Sequence, residues 1–161
     1  MSACRDIRGA ARRTKALALV FLLLPACMPA PLDDAVLRDR DAPISSQVDV
    51  TEARLSGDWR VRVAPLVGPV VAGDILRLRE DDLLMSGPGR FEVTQGPLKG
   101  RLLWVLWLDA DNRTAAIGAP DGRIGWIMDR SPRGGADRIA AARGIMEWQG
   151  YDMARMKEVS G

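Results

Sequence analysis

From Trp59 to Arg130 the chain runs as short stretches of alternating apolar and polar residues divided by turn formers. Trp59-Arg60-Val61-Arg62-Val63 alternates strictly, which predicts a strand with Trp59, Val61 and Val63 on one face and both arginines on the other. Gly73 to Glu80 repeats the pattern, with Leu76 and Leu78 inward and Arg77 and Arg79 outward. Leu83 to Met85 is a short apolar run that stops at the turn-forming Ser86-Gly87-Pro88-Gly89. Arg90 to Thr94 follows with Phe91 and Val93 inward. Leu102 to Leu108 is apolar throughout and ends at Asp109-Ala110-Asp111-Asn112. Thr114 to Gly118 and Arg123 to Arg130 flank Ala119-Pro120-Asp121-Gly122, whose Asp-Gly is a strong hairpin signal. Gly135 to Gln149 changes period: Ile139, Ala142, Ile145, Met146 and Gln149 fall at helical steps, and Gly150 is placed to stop the helix. The pattern predicts a mainly β protein, an up-and-down antiparallel barrel of about seven to eight strands, with one C-terminal helix packed outside it.

Ahead of this domain the pattern is different. Met1 to Ala26 has the parts of a secretory signal: Arg5, Arg8, Arg12, Arg13 and Lys15, then the apolar run Ala16 to Leu24, then small residues. That run spans about 14 Å as a helix, too short to cross a bilayer permanently. Leu24-Pro25-Ala26-Cys27 looks like a bacterial lipobox, which implies that Cys27 is acylated and becomes the first residue of the mature chain. Residues 27–52, rich in Pro, Asp and Ala, read as a flexible tether, and 53–161 as the barrel domain. A lipid on Cys27 would place the protein on the cell outer membrane, facing the periplasm.

Charge changes the picture once the leader is set apart. The whole chain carries +2, but residues 1–26 hold five basic side chains against Asp6, leaving 18 basic and 20 acidic side chains beyond them. Nothing there suggests nucleic acid. The chain has no histidine, the commonest general base and transition-metal ligand. Its serines lack an activating partner in any motif, Asp81-Asp82 fits a hairpin bend, and Asp109 to Arg113 lacks the glycine and glutamate of a calcium loop. No enzymatic activity, metal or cofactor is expected.

Three short motifs in order give a more specific reading. Gly57-Asp58-Trp59 opens the first strand, Asp109 and Asp111 sit in a turn between two late strands, and Arg130 ends the last strand before the helix. Together they resemble the lipocalin family, in particular small bacterial lipocalins. Asn112 stands where that family usually has an aromatic residue. The resemblance implies structural roles for Gly57, Trp59, Asp109, Asp111 and Arg130, with the arginine stacked on the tryptophan at the closed end. It also implies a lumen lined by Val61, Val63, Leu76, Leu78, Phe91, Val93, Leu103, Val105, Trp107, Trp126 and Met128, with Trp104 outside.

One or two strands of a usual lipocalin are missing or abbreviated between Val67 and Pro97. Two outcomes stay open on the sequence. The first is a lipid-anchored carrier of a fatty acid or lysophospholipid, with a hydrophobic small molecule and the membrane as its partners and no nucleic acid. The second is a narrow barrel packed solid by its own side chains, serving as a structural or interaction lipoprotein of the cell envelope.

Overall fold

The computed structural model describes residues 36–159. The signal segment, Cys27 and the first part of the expected tether therefore lie outside the described residues. A four-residue turn of helix, α1 (Glu52–Leu55), leads into β1 (Gly57–Pro65), β2 (Ile75–Leu78), β3 (Leu83–Gly87), β4 (Arg90–Val93), β5 (Leu102–Leu108), β6 (Thr114–Gly118) and β7 (Gly125–Asp129). Helix α2 (Ala136–Trp148) and a short β8 (Met156–Glu158) follow. All strand pairs are antiparallel, in the order β2-β1-β7-β6-β5-β4-β3, and β8 pairs with the far half of β1. The sheet curls into a half-barrel. Among the described residues β2 and β3 do not pair, so the barrel stays open along that seam.

Both faces of the sheet are covered, and two separate cores result. On the concave face Trp59, Val61, Phe91, Leu103, Val105, Ile117, Trp126 and Met128 pack together and are at most 1% exposed. On the convex face Ile139, Ala142 and Met146 of α2 meet Val63, Leu106, Ala116 and Ile127 of the sheet. β6 and β7 are buried at every position because each has an apolar neighbour on either side.

Two β-bulges decide which residue faces which core. The pairing of β1 with β7 slips between Val61 and Val63, and that of β5 with β6 slips between Val105 and Trp107. A single extra residue reverses the facing of everything beyond it. Val63 and Trp107, both expected inward, therefore lie on the convex side with α2. Ala64 and Leu108 take the inward places instead.

Residues 36–52 are not a free tether. Leu37 and Val50 are buried, and the buried Arg38 donates from Nε to the Gln149 carbonyl (3.0 Å) and from Nη1 to the Pro120 carbonyl (3.0 Å). Further on, the Gln47 N–H donates to the Val105 carbonyl (2.8 Å), and the Leu108 N–H donates to Gln47 Oε1 (2.7 Å). β4 reaches only as far as Trp104 of β5, so this strap satisfies the part of β5 that β4 leaves bare. Gly89, with φ 63°, lets the strap pass: a Cβ there would collide with the Gln47 carbonyl.

Candidate functional site

The closed end of the half-barrel is assembled by the three sequence motifs. Trp59 is buried under α1 and donates from its indole nitrogen to the Leu55 carbonyl (2.7 Å). The Arg130 guanidinium lies 3.9 Å from the Trp59 ring centroid. It also donates to the carbonyls of Asn112 (2.8 Å), Ser56 (2.7 Å) and Arg54 (3.1 Å). Burial lowers the Arg130 pKa from its ordinary value, an effect opposed by the Asp109 and Asp58 carboxylates. Gly57 has φ 113°, and a Cβ on it would run into that guanidinium. Only glycine meets both conditions. Asp109 holds the β5–β6 turn by accepting from the Thr114 N–H (2.9 Å) and the Arg113 N–H (2.5 Å). Asp111 is exposed and lies 3.8 Å from Arg113. Asn112 adopts a left-handed conformation, φ 57°, and its side-chain oxygen accepts from Arg54 (2.8 Å).

A second polar cluster, which the motifs did not reveal, ties the convex side of this end to α2. The fully buried Asp129 carboxylate accepts from Thr114 Oγ1 (2.6 Å), Arg138 Nη2 (3.1 Å) and the Ser131 N–H (2.7 Å). Arg138 Nε donates to Thr114 Oγ1 (2.8 Å) and lies 3.6 Å from Asp109. The signal available in sequence was an Asp closing β7 nine residues before an Arg in the first turns of the helix. At the opposite rim Tyr151 is buried and bridges the β6–β7 hairpin. Its hydroxyl donates toward the carbonyls of Ile124 (3.0 Å) and Ala119 (3.2 Å) and accepts from the Ala119 N–H (2.9 Å). Burial raises the Tyr151 pKa to about 12.

The residues expected to line a lumen divide into three groups. Val61, Phe91, Leu103, Val105, Trp126 and Met128 do converge, but they close on one another and leave no solvent-accessible space. The Trp126 indole N–H has no hydrogen-bond acceptor there. Val63 and Trp107 face α2. Leu76, Leu78 and Val93 line a cleft of about 450 Å³ at the open seam, together with Leu98, Pro69 and Pro97. Arg77, Asp74, Asp82 and Gln95 form its polar wall. Arg77 is 3.7 Å from Asp58, and Asp74 accepts from the Val71 N–H (2.9 Å). A second cleft of about 390 Å³ opens at the rim between Leu102, Ala119 and Ile124. The cleft at the seam falls in the size range of small-molecule pockets and is mainly apolar, as such pockets are. Among the described residues no three His, Cys, Asp or Glu side chains gather as a metal site requires.

An antiparallel half-barrel sealed at one end by a tryptophan under an arginine, with a helix on its convex face, is similar to a lipocalin-like fold. Residues 85–160 match the family model described as a lipocalin-like domain. No curated protein matches the sequence. Among solved structures, lobster apocrustacyanin A1 is similar over 74% of this chain and 89% of its own length, at 12% identity and a TM-score of 0.36. Lipocalin-like domains typically bind small hydrophobic ligands and are generally carriers without catalysis.

Proposed function

We propose that the protein carries a single acyl chain, that of a fatty acid or lysophospholipid, in the cleft between β2 and the β4–β5 loop. The observation that carries this reading is the cleft itself, a volume of about 450 Å³ walled by Leu76, Leu78, Val93 and Leu98. Burial of apolar surface supplies the affinity, at about 25 cal/mol per Å². Arg77 stands in the same wall and can meet a carboxylate or phosphate head group. The Leu24-Pro25-Ala26-Cys27 sequence supports a lipid anchor on Cys27 and a station on the outer membrane, facing the periplasm.

The rival reading, a ligand-free structural or interaction lipoprotein, draws on the fully packed interior. Titration with a fluorescent fatty acid separates the two. Saturable binding that is lost in Val93→Arg and kept in Trp107→Ala supports the carrier. A folded protein with no saturable response supports the rival.

A further inference from the structure

The loop between β1 and β2 is out of character for its place. From Val63 to Gly73 the sequence reads VAPLVGPVVAG, eleven residues without one charged or hydrogen-bonding side chain. Val70 turns inward and is buried, but Leu66 is 70% exposed and Val67 46%. Val159 lies against Gly73, and the half-exposed Ile75 begins β2 beside it. Loops at a domain surface are ordinarily polar, and a cluster of exposed apolar side chains marks a protein or membrane contact.

The path of the chain selects between these two partners. The Leu37 N–H donates to the Gly122 carbonyl (2.6 Å) in the β6–β7 hairpin, and the Arg155 guanidinium binds the Val36 carbonyl. The next residue after Arg155, Met156, pairs with Pro65, which immediately precedes Leu66. The described chain thus begins on the rim that carries the apolar loop, opposite the end sealed by Trp59. Cys27 is nine residues before Val36, which limits its reach to about 30 Å. A lipid at Cys27 would hold this rim toward the bilayer. Lys99 and Lys157, both exposed near it, are placed for phosphate head groups, while the nearby Glu158 is paired with Arg143 (3.6 Å).

We propose that this rim docks on a phospholipid bilayer, with Leu66 and Val67 entering the boundary between head groups and acyl chains. The orientation rests on the lipid-anchor reading; the exposed loop does not. Pro69 of the same loop lines the cleft, so an acyl chain leaving the bilayer would reach the cleft without crossing water.

The test uses the full chain with one added cysteine, Leu66→Cys, Val67→Cys or Leu84→Cys, carrying a polarity-sensitive fluorophore. Leu84 is equally apolar and exposed but belongs to β3. Each protein is placed with vesicles of phosphatidylethanolamine and a minority of phosphatidylglycerol, with a nitroxide lipid as quencher. The expected result is a blue shift and several-fold stronger quenching at residues 66 and 67 than at 84. Equal quenching at all three sites, or water-like emission from residue 66 in vesicle-bound protein, overturns the proposal. A label at 66 already shielded without vesicles also overturns it, by assigning the patch to another protein surface. Mass spectrometry of Cys27 judges the anchor separately. If that cysteine is unmodified, the same labels on protein with Cys4 and Cys27 replaced by serine, mixed with the same vesicles, still decide the docking, and absence of binding there overturns it.

Discussion

Replacing Trp59 with alanine should be the most damaging single aromatic change in the domain. The side chain is 1% exposed, touches the concave core, donates to Leu55 and carries the Arg130 guanidinium on its face. Truncating a buried tryptophan costs about 3–5 kcal/mol, and the cation–π contact accounts for about 0.5–2 of that. Against the roughly 5–15 kcal/mol that holds a domain together, this is a large fraction. Arg130→Ala should be costly too, because it leaves the carbonyls of Asn112, Ser56 and Arg54 without their donor. Urea unfolding of the two single variants and the double variant closes a cycle, in which the coupling should be about 0.5–2 kcal/mol. Trp148, 70% exposed on α2, is the control, and its replacement by alanine should change stability by less than about 0.5 kcal/mol. A Trp59→Ala protein as stable as the Trp148→Ala protein, or additive effects at residues 59 and 130, would refute the account of the closed end.

Asp129→Ala should cost about 3–5 kcal/mol in the same assay, because it strands Arg138 and Thr114 in a buried site; an effect under 1 kcal/mol would mean the cluster is not formed in solution. Tyr151→Phe should cost about 1–3 kcal/mol by leaving the Ala119 N–H and the Ile124 carbonyl without the hydroxyl they bond. Because the folded Tyr151 pKa is raised to about 12, the unfolded chain loses this proton first as pH rises. The contribution is intact below about pH 10 and is lost between there and 12 at about 1.4 kcal/mol per pH unit. The difference between wild-type and Tyr151→Phe denaturation curves across that range reads it directly. Cys27→Ser should give an unprocessed precursor or a product that stays in the aqueous phase of a detergent partition; normal maturation and detergent partition would refute the anchor.

Strand positions, the helix and the closed-end motifs were legible because alternation and turn chemistry are local. Facing was legible only where a polar residue marked one side. In Trp59-Arg60-Val61 the arginine at the middle fixes the register, and the structure agrees. In Leu102 to Leu108 every residue is apolar, so nothing in the run reports the bulge at Leu106, and counting back from Asp109 put Trp107 on the wrong face. Val63 was misplaced by the corresponding bulge at Arg62. The strap was hidden for another reason: Leu37, Ile44, Gln47 and Val50 are a few anchors scattered among prolines and aspartates, and most of their bonds go to backbone. β8, only three residues long, carries too little pattern to stand out from a tail.

The strap also meets the segment that joins α2 to β8. Arg38 forms a bridge with Tyr151, and the Asp152 N–H donates to the Leu37 carbonyl (2.9 Å) across more than a hundred residues of sequence. The domain is thus clasped by its two ends. Closing so long a loop is slow, and it cannot begin until residues 151 and 152 have been made. On the ribosome the meander of β5 to β7 can form early, but the hairpin bonds to Tyr151 must wait until that residue has been made. A nascent chain stalled before residue 149 should therefore hold native hairpins and still be open to proteases along residues 37–45, which bond to Gln149, Gly150 and Asp152.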